Sequence, residues 1–179
     1  MGALTSLNLS ANCMANENTG KALAEALVTN SVLKTLDVSD NTWCGGPNYG
    51  DGIDFYKQLA MGMSANRTLA KLIFGGYKGG TFVPKPAVLE VGMTEADLRN
   101  KNLGVGGAIL VGAWILHKDH AALTSLNISG NKLSHNASGK EAGTALSDML
   151  KQNTVLKILD ISNNIATHVW TNTFVQAFA

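Results

Sequence analysis

The sequence predicts an α/β fold: a curved solenoid of about six strand–helix repeats, with parallel β-strands on the concave face and helices on the convex face. Three observations carry this. Ala3 to Asn12, ALTSLNLSAN, recurs almost unchanged at Ala122 to Asn131 as ALTSLNISGN. Leu33 to Asn41, LKTLDVSDN, matches Leu156 to Asn164, LKILDISNN, in the same register. A helical segment follows three of these four copies. Residues 1–179 are therefore read as one repeat domain, because a single strand–helix unit closes no core alone and neighbours must stack to bury one.

The elements follow in order. The first strand begins at Leu4, turns at Asn12, and precedes a helix from Lys21 to Leu27 that stops at Asn30. The second begins at Leu33, turns at Asn41, and precedes a helix from Ile53 to Met63 that stops at Asn66. A weaker third copy, Leu69-x-x-Leu72-x-Phe74, leads into residues 75–92, where Gly pairs, Pro84 and Pro86 forbid a regular helix. That segment is read as an irregular insertion with a β-hairpin or strand-like excursion, flanked by apolar residues at Leu72 to Phe74 and Val88 to Val91. A fourth, weak copy begins at Met93, and the fifth and sixth begin at Leu123 and Leu156, with a helix from Glu141 to Leu150 between them that stops at Asn153. First positions at 4, 33, 69, 93, 123 and 156 lie 24 to 36 residues apart, room for one strand and one helix each.

The four strong copies read L-x-x-L-x-L/V/I-x-x-N. Asn12, Asn41, Asn131 and Asn164 are structural in this reading: each turns the chain, and its amide bonds backbone groups that stacking would otherwise leave unpaired. The L-T-S-L-N-L-S-x-N strand, with the G-K-A-L-A-E-A-L-x-x-N helix at Gly20 to Asn30, resembles leucine-rich repeats of the ribonuclease-inhibitor-like subfamily, found also in nucleotide-binding innate-immune receptors. The resemblance spans the chain apart from about residues 75–92. It implies a protein-binding scaffold, using the concave strand face or adjoining loops, and no enzyme.

Two features depart from a regular stack. Gly106 to Leu116 is apolar around most of its circumference, whereas a surface helix has one polar face. Either the insertion or a partner is expected to cover it. The first strand opens without a polar cap, and Phe174 to Ala179 ends the sequence in an apolar helix, so end-to-end self-association or a place in a larger complex is expected.

The binding surfaces follow from strand periodicity. Positions two, four and six after each first leucine face away from the core, with Asn8, Asp37, Ile73, Asp97, Asn127 and Asp160 as the central column. Asp37, Lys71, Glu95, Asp97, Arg99 and Asp160 are the candidate contacts there, a weakly acidic strip suited to a basic or polar ligand. Tyr49 and Tyr77 are the loop candidates, while Trp43, just after Asn41, reads as core filler.

Composition bounds the rest. Hydrophobic residues make up 45% and charged residues 15%, which argues against disorder. A net charge of +1 with no Lys/Arg run gives no electrostatic case for nucleic acid or an anionic membrane. No apolar run is long enough to span a bilayer. Cys13 and Cys44 are read as free thiols, hence a cytoplasmic or other reducing compartment. Acceptor triplets for N-glycosylation at Asn8, Asn66, Asn127 and Asn136 are assigned to chance in an Asn- and Ser-rich chain. Gly20-Lys21 and Gly139-Lys140 lack the spacing of a phosphate loop, and His117, Asp119 and His120 read as a solvated helix end, so no cofactor and no metal is expected. The function read from the sequence is a non-catalytic protein-interaction module; the alternative is a structural subunit held through its open ends and its apolar helix.

Overall fold

The computed structural model describes residues 4–14, 16–41, 52–76, 85–117, 122–133 and 139–164. Alternating apolar residues make each strand short and one-sided. β1 (Ser6–Asn8), β2 (Thr35–Asp37) and β3 (Lys71–Phe74) run parallel, aligning the half-buried Leu7 with the buried Leu36 and Leu72 in one inward column. β4 (Ala87–Glu90) then pairs antiparallel with β3, setting Leu89 opposite Leu72. β5 (Glu95–Asp97), β6 (Ser125–Asn127) and β7 (Ile158–Asp160) form a second parallel sheet with Ala96, Leu126 and Leu159 in register.

The fold is therefore mixed α/β with two small sheets, of four and three strands, and four helices among the described residues. This corrects the expectation of one parallel ribbon in a solenoid. The antiparallel β4 interrupts the strand layer after β3, within the segment read as an irregular insertion; residues 77–84 of that segment lie outside the described residues. The two sheets are joined at their C-terminal ends by the Gly76 N–H, which donates to the Lys101 carbonyl at 3.0 Å.

The helices α1 (Glu17–Thr29), α2 (Ile53–Ala65), α3 (Gly104–Leu116) and α4 (Gly139–Gln152) pack in sequence order on the other side. Asn16 caps α1 by accepting the Thr19 N–H at 2.9 Å, satisfying one of the helix's orphan donors. Small residues let the helices approach closely. A Cβ on Gly62 would lie 2.5 Å from the Cα of Ala24, and one on Gly106 would enter the Tyr56 ring. Tyr56 is itself buried edge-on against Phe55, with centroids 5.1 Å apart, and burial pushes its hydroxyl pKa up.

α3 needs no partner to cover it. Val105 to Gly112, Trp114 and Ile115 are all buried within the chain. At each helix C-terminus a polar side chain organises the turn. The Oδ1 atoms of Asn30, Asn66 and Asn153 accept the N–H groups two and three residues on, at 2.7 to 3.0 Å. After α3 the position is His117, whose Nε2 lies 2.7 Å from the Asn66 carbonyl; facing a carbonyl, it is the donor. His117 is thus a buried bonding group rather than a solvated helix end, and Asp119 and His120 lie outside the described residues.

Candidate functional site

The strand face away from the helices is the candidate surface. Its central column is built by one local device repeated five times. Each Asn or Asp turns its Oδ1 onto the N–H two residues ahead: Asn8 to Ser10 at 2.8 Å, Asp37 to Ser39 at 2.9 Å, and Asp97 to Arg99 at 3.2 Å. Asn127 to Ser129 at 3.0 Å and Asp160 to Ser162 at 2.9 Å complete the series. This side-chain turn ends each strand and fixes the carboxylate or amide in place. One oxygen of every acid in the column is thus already engaged by its own backbone. The signal was present in the sequence as D/N-x-S at four of the five positions, with Arg99 in place of the serine at Asp97, and reading the column only as a contact surface missed it.

The chain then enters a left-handed residue: Ala11, Asp40, Asn100, Gly130 and Asn163 have φ of 58°, 55°, 54°, 66° and 55°. The next residue is the structural position. Asn41 is fully buried; its Nδ2 donates to the Leu9 carbonyl at 2.7 Å and the Val38 carbonyl at 3.0 Å, and its Oδ1 accepts the Asn12 N–H at 2.9 Å. Asn131 does the same with Leu98, Ile128 and Lys101, and Asn164 with Ile128, Ile161 and the Asn131 N–H. Asn12 differs. It is exposed, and its Nδ2 reaches only the Ser10 carbonyl, at 3.2 Å.

On the second sheet the named residues come together. Arg99 grips Asp97 through two hydrogen bonds, Nε to Oδ1 at 2.8 Å and Nη2 to Oδ2 at 2.6 Å. Asn127 Nδ2 donates to Asp160 Oδ2 at 2.9 Å, linking β6 to β7. The Arg99 side-chain hydrogen bond, then its backbone N–H, holds the Asp97 pKa below the usual carboxylate range. For Asp160 the Ser162 backbone N–H does most, then the Ser162 hydroxyl, with Asn127 and the Arg99 charge adding to it. Arg99 is correspondingly raised by Asp97. Both acids are ionised at neutral pH.

Of the other named residues, Asp37 and Lys71 lie on the first sheet, apart from these. Asp37 is half-buried, with Oδ1 also accepting the Ser39 hydroxyl at 2.7 Å. Lys71 is paired with Glu90 across β3–β4 at 2.6 Å, a partner the sequence reading did not name. Glu95 stands exposed at the start of β5. Tyr49, Tyr77, Trp43, Phe174 and Phe178 lie outside the described residues.

The face presents acceptors held in place by local hydrogen bonds. Asp37, Asp97 and Asp160 lie on β2, β5 and β7, each tied to the N–H two residues ahead. Among the described residues no group of three or more His, Cys, Asp or Glu is placed to hold a metal ion, and no helix is long and apolar enough to cross a membrane. Cys13 is disulfide-bonded, which corrects its reading as a free thiol and removes that argument for a reducing compartment; Cys44 lies outside the described residues.

No family model and no curated protein matches the sequence. Among solved structures the chain is similar to leiomodin-1 actin-binding site 2, with a TM-score of 0.41 and 15% identity over 97% of this chain and 78% of that one. It is also similar to the tropomodulin C-terminal domain of Caenorhabditis elegans, with a TM-score of 0.37 and 10% identity over 98% of this chain and 82% of that one. These findings correct the resemblance to ribonuclease-inhibitor-like leucine-rich repeats: both of these solved structures are leiomodin or tropomodulin domains, and the strands divide into two sheets with an antiparallel pair. At such TM-scores the likenesses carry no argument about activity.

Proposed function

We propose that this chain is a non-catalytic protein-binding module whose strand face takes a polar, cation-bearing segment of a protein partner. One observation carries the reading: Asp37, Asp97 and Asp160 occupy the same register position on three strands, each held by the N–H two residues ahead. A preorganised row of acids loses little entropy on binding, and its charge favours lysine or arginine side chains. Ionisation of Asp97 and Asp160 supports it, as does the polar character of the flanking serines. Arg99 has a positioning role, holding the Asp97 carboxylate in one orientation. The edge loops bearing Tyr49 and Tyr77 are the second contact surface in this proposal.

The test starts from a partner recovered from source cells by cross-linking and mass spectrometry, then measured against the purified chain. Asp97→Ala with Arg99→Ala, and Asp37→Asn with Asp160→Asn, are expected to weaken binding at least tenfold, about 1.4 kcal/mol, with unfolding midpoints little changed. Unaltered affinity in both double variants overturns the proposal. Actin, which the leiomodin-1 domain binds by its name, serves as one labelled test protein and is no premise of the proposal.

The rival reading is a structural subunit held through its ends. The burial of α3 by the chain itself removes one of its two supports. The outer edges of β1 and β7 supply the other.

A further inference from the structure

The unit β1–β2 and the unit β6–β7 are bonded alike, group for group. Leu9 N–H donates to Asp37 C=O at 2.8 Å, as Ile128 does to Asp160 at 2.9 Å. Ala11 donates to Ser39 as Gly130 does to Ser162, both at 3.0 Å. Thr35 donates to Thr5 as Ile158 does to Thr124, again both at 3.0 Å. The two units differ in which side is covered. β6 carries β5 on its near edge; β1 carries no strand there among the described residues. β2 carries β3 on its far edge; β7 carries no strand there among the described residues.

The covered edges define what the open ones accept. β5 binds β6 through Leu98 N–H to Asn127 C=O at 2.8 Å, Asn100 N–H to Ser129 C=O at 3.1 Å, and Ser125 N–H to Thr94 C=O at 3.2 Å. The corresponding groups of β1 are Asn8 C=O, Ser10 C=O and Ser6 N–H. Because Thr5, Leu9 and Ala11 bond toward β2, the alternation of a parallel ladder turns Ser6 and Asn8 away from it. β3 binds β2 through Val38 N–H to Ile73 C=O, Asp40 N–H to Gly75 C=O and Lys71 N–H to Lys34 C=O, each at 2.9 Å. The corresponding groups of β7 are Ile161 N–H, Asn163 N–H and Lys157 C=O, and none of the three is hydrogen-bonded among the described residues.

We propose that a second copy of this chain supplies the missing strand, the outer edge of β7 in one molecule adding in parallel to the outer edge of β1 in the next. Ile161 donates to Asn8, Asn163 to Ser10, and Ser6 donates back to Lys157, reproducing the bonds of the interior repeats. Asn12 then gains what Asn131 has. Its Nδ2 meets the Ile161 carbonyl, as Asn131 Nδ2 meets that of Leu98. The apolar columns join as well. Leu123, Leu126 and Ile128 are 5%, 0% and 0% exposed, whereas their counterparts are Leu4, 56% exposed, and the half-buried Leu7 and Leu9. At the other end Leu156, Leu159 and Ile161 are half-buried where Leu33, Leu36 and Val38 are 3%, 0% and 1% exposed. The contact is heterologous, so it propagates rather than closing at two copies.

Proline at an outward-facing strand N–H removes a donor and bars strand addition without breaking the inner pairing. Ser6→Pro blocks the β1 edge and Ile161→Pro the β7 edge. Sedimentation of the wild-type chain is expected to show a mass that rises with concentration. Each variant alone stays monomeric, and their equimolar mixture stops at a dimer, because one open edge of each kind remains. A wild-type chain that stays monomeric across the accessible concentration range overturns the proposal, as does a folded Ser6→Pro variant that still associates, or a mixture of folded variants that stays monomeric. Should a proline variant fail to fold, Ser6→Cys with Ile158→Cys places thiols on adjacent strands about 5 Å apart in the proposed register. A short thiol cross-linker then yields a link between positions 6 and 158 of differently isotope-labelled copies; absence of that link overturns it.

Discussion

Asn131→Ala tests whether the buried asparagine holds the turns together. The Asn131 side chain donates to Leu98 C=O at 2.7 Å and Ile128 C=O at 2.9 Å, and accepts from Lys101 N–H at 2.8 Å. Ile128 keeps a second donor, Asn164 Nδ2 at 2.8 Å, so it is not orphaned by the change. Leu98 C=O and Lys101 N–H do lose these bonds. Each unsatisfied buried group costs about 1–3 kcal/mol, so the expected loss is about 3 kcal/mol. Asn12→Ala is the internal control. It removes the same residue from the same repeat position, where the side chain is exposed and makes one long bond, and should cost under about 0.5 kcal/mol in the monomer. Urea unfolding measures both, as a shift of midpoint at constant slope. Equal shifts for the two variants, or a loss below about 1 kcal/mol for Asn131→Ala, would refute the argument.

Three further outcomes are expected. Gly62→Ala gains about 1 kcal/mol of helix propensity but drives a methyl to 2.5 Å from the Ala24 Cα, where overpacking costs about 1–3 kcal/mol. Melting should therefore fall by a few degrees, and Ala24→Gly should not rescue it, since backbone is the obstacle. Ala11→Gly relieves a left-handed residue at φ 58°, where the sister turn already has Gly130 at 66°, and should add about 0.5–1 kcal/mol, read as a raised melting temperature. In acid, the lowered pKa values of Asp97 and Asp160 mean their contribution is whole above the ordinary carboxylate value of 3.8 and fades as pH falls through the depressed values. Melting followed downward from that pH should drop less steeply in Asp97→Asn with Asp160→Asn than in the wild type.

Periodicity made much of the fold legible. The matched segments at 3–12 and 122–131, and at 33–41 and 156–164, lie in strands of identical register, and the helices expected at 21–27, 53–63 and 141–150 fall inside α1, α2 and α4. The antiparallel direction of β4 belonged to only one of the two readings of that segment, a β-hairpin or a strand-like excursion, and apolar alternation could not choose between them. Strand alternation reports which face a residue takes and says nothing about chain direction, which is set by how residues after Phe74 return. The covering of α3 was half legible: its apolar circumference announced burial without naming what buries it. For the candidate surface, the charges were readable and their engagement was not. Arg99 folds back on Asp97, and Glu90 reaches Lys71 from a strand with no repeat signature, contacts that depend on geometry between residues rather than on their types.

The interruption by β4 has a structural corollary. Helices α1 to α4 touch in unbroken succession, while the strand side changes direction after β3 and resumes at β5. The first sheet is tied to the second through the helical side and, on the strand side, by the Gly76–Lys101 hydrogen bond among the described residues. The helical layer, continuous where the strand layer is not, is what keeps the acids of the two sheets on one face.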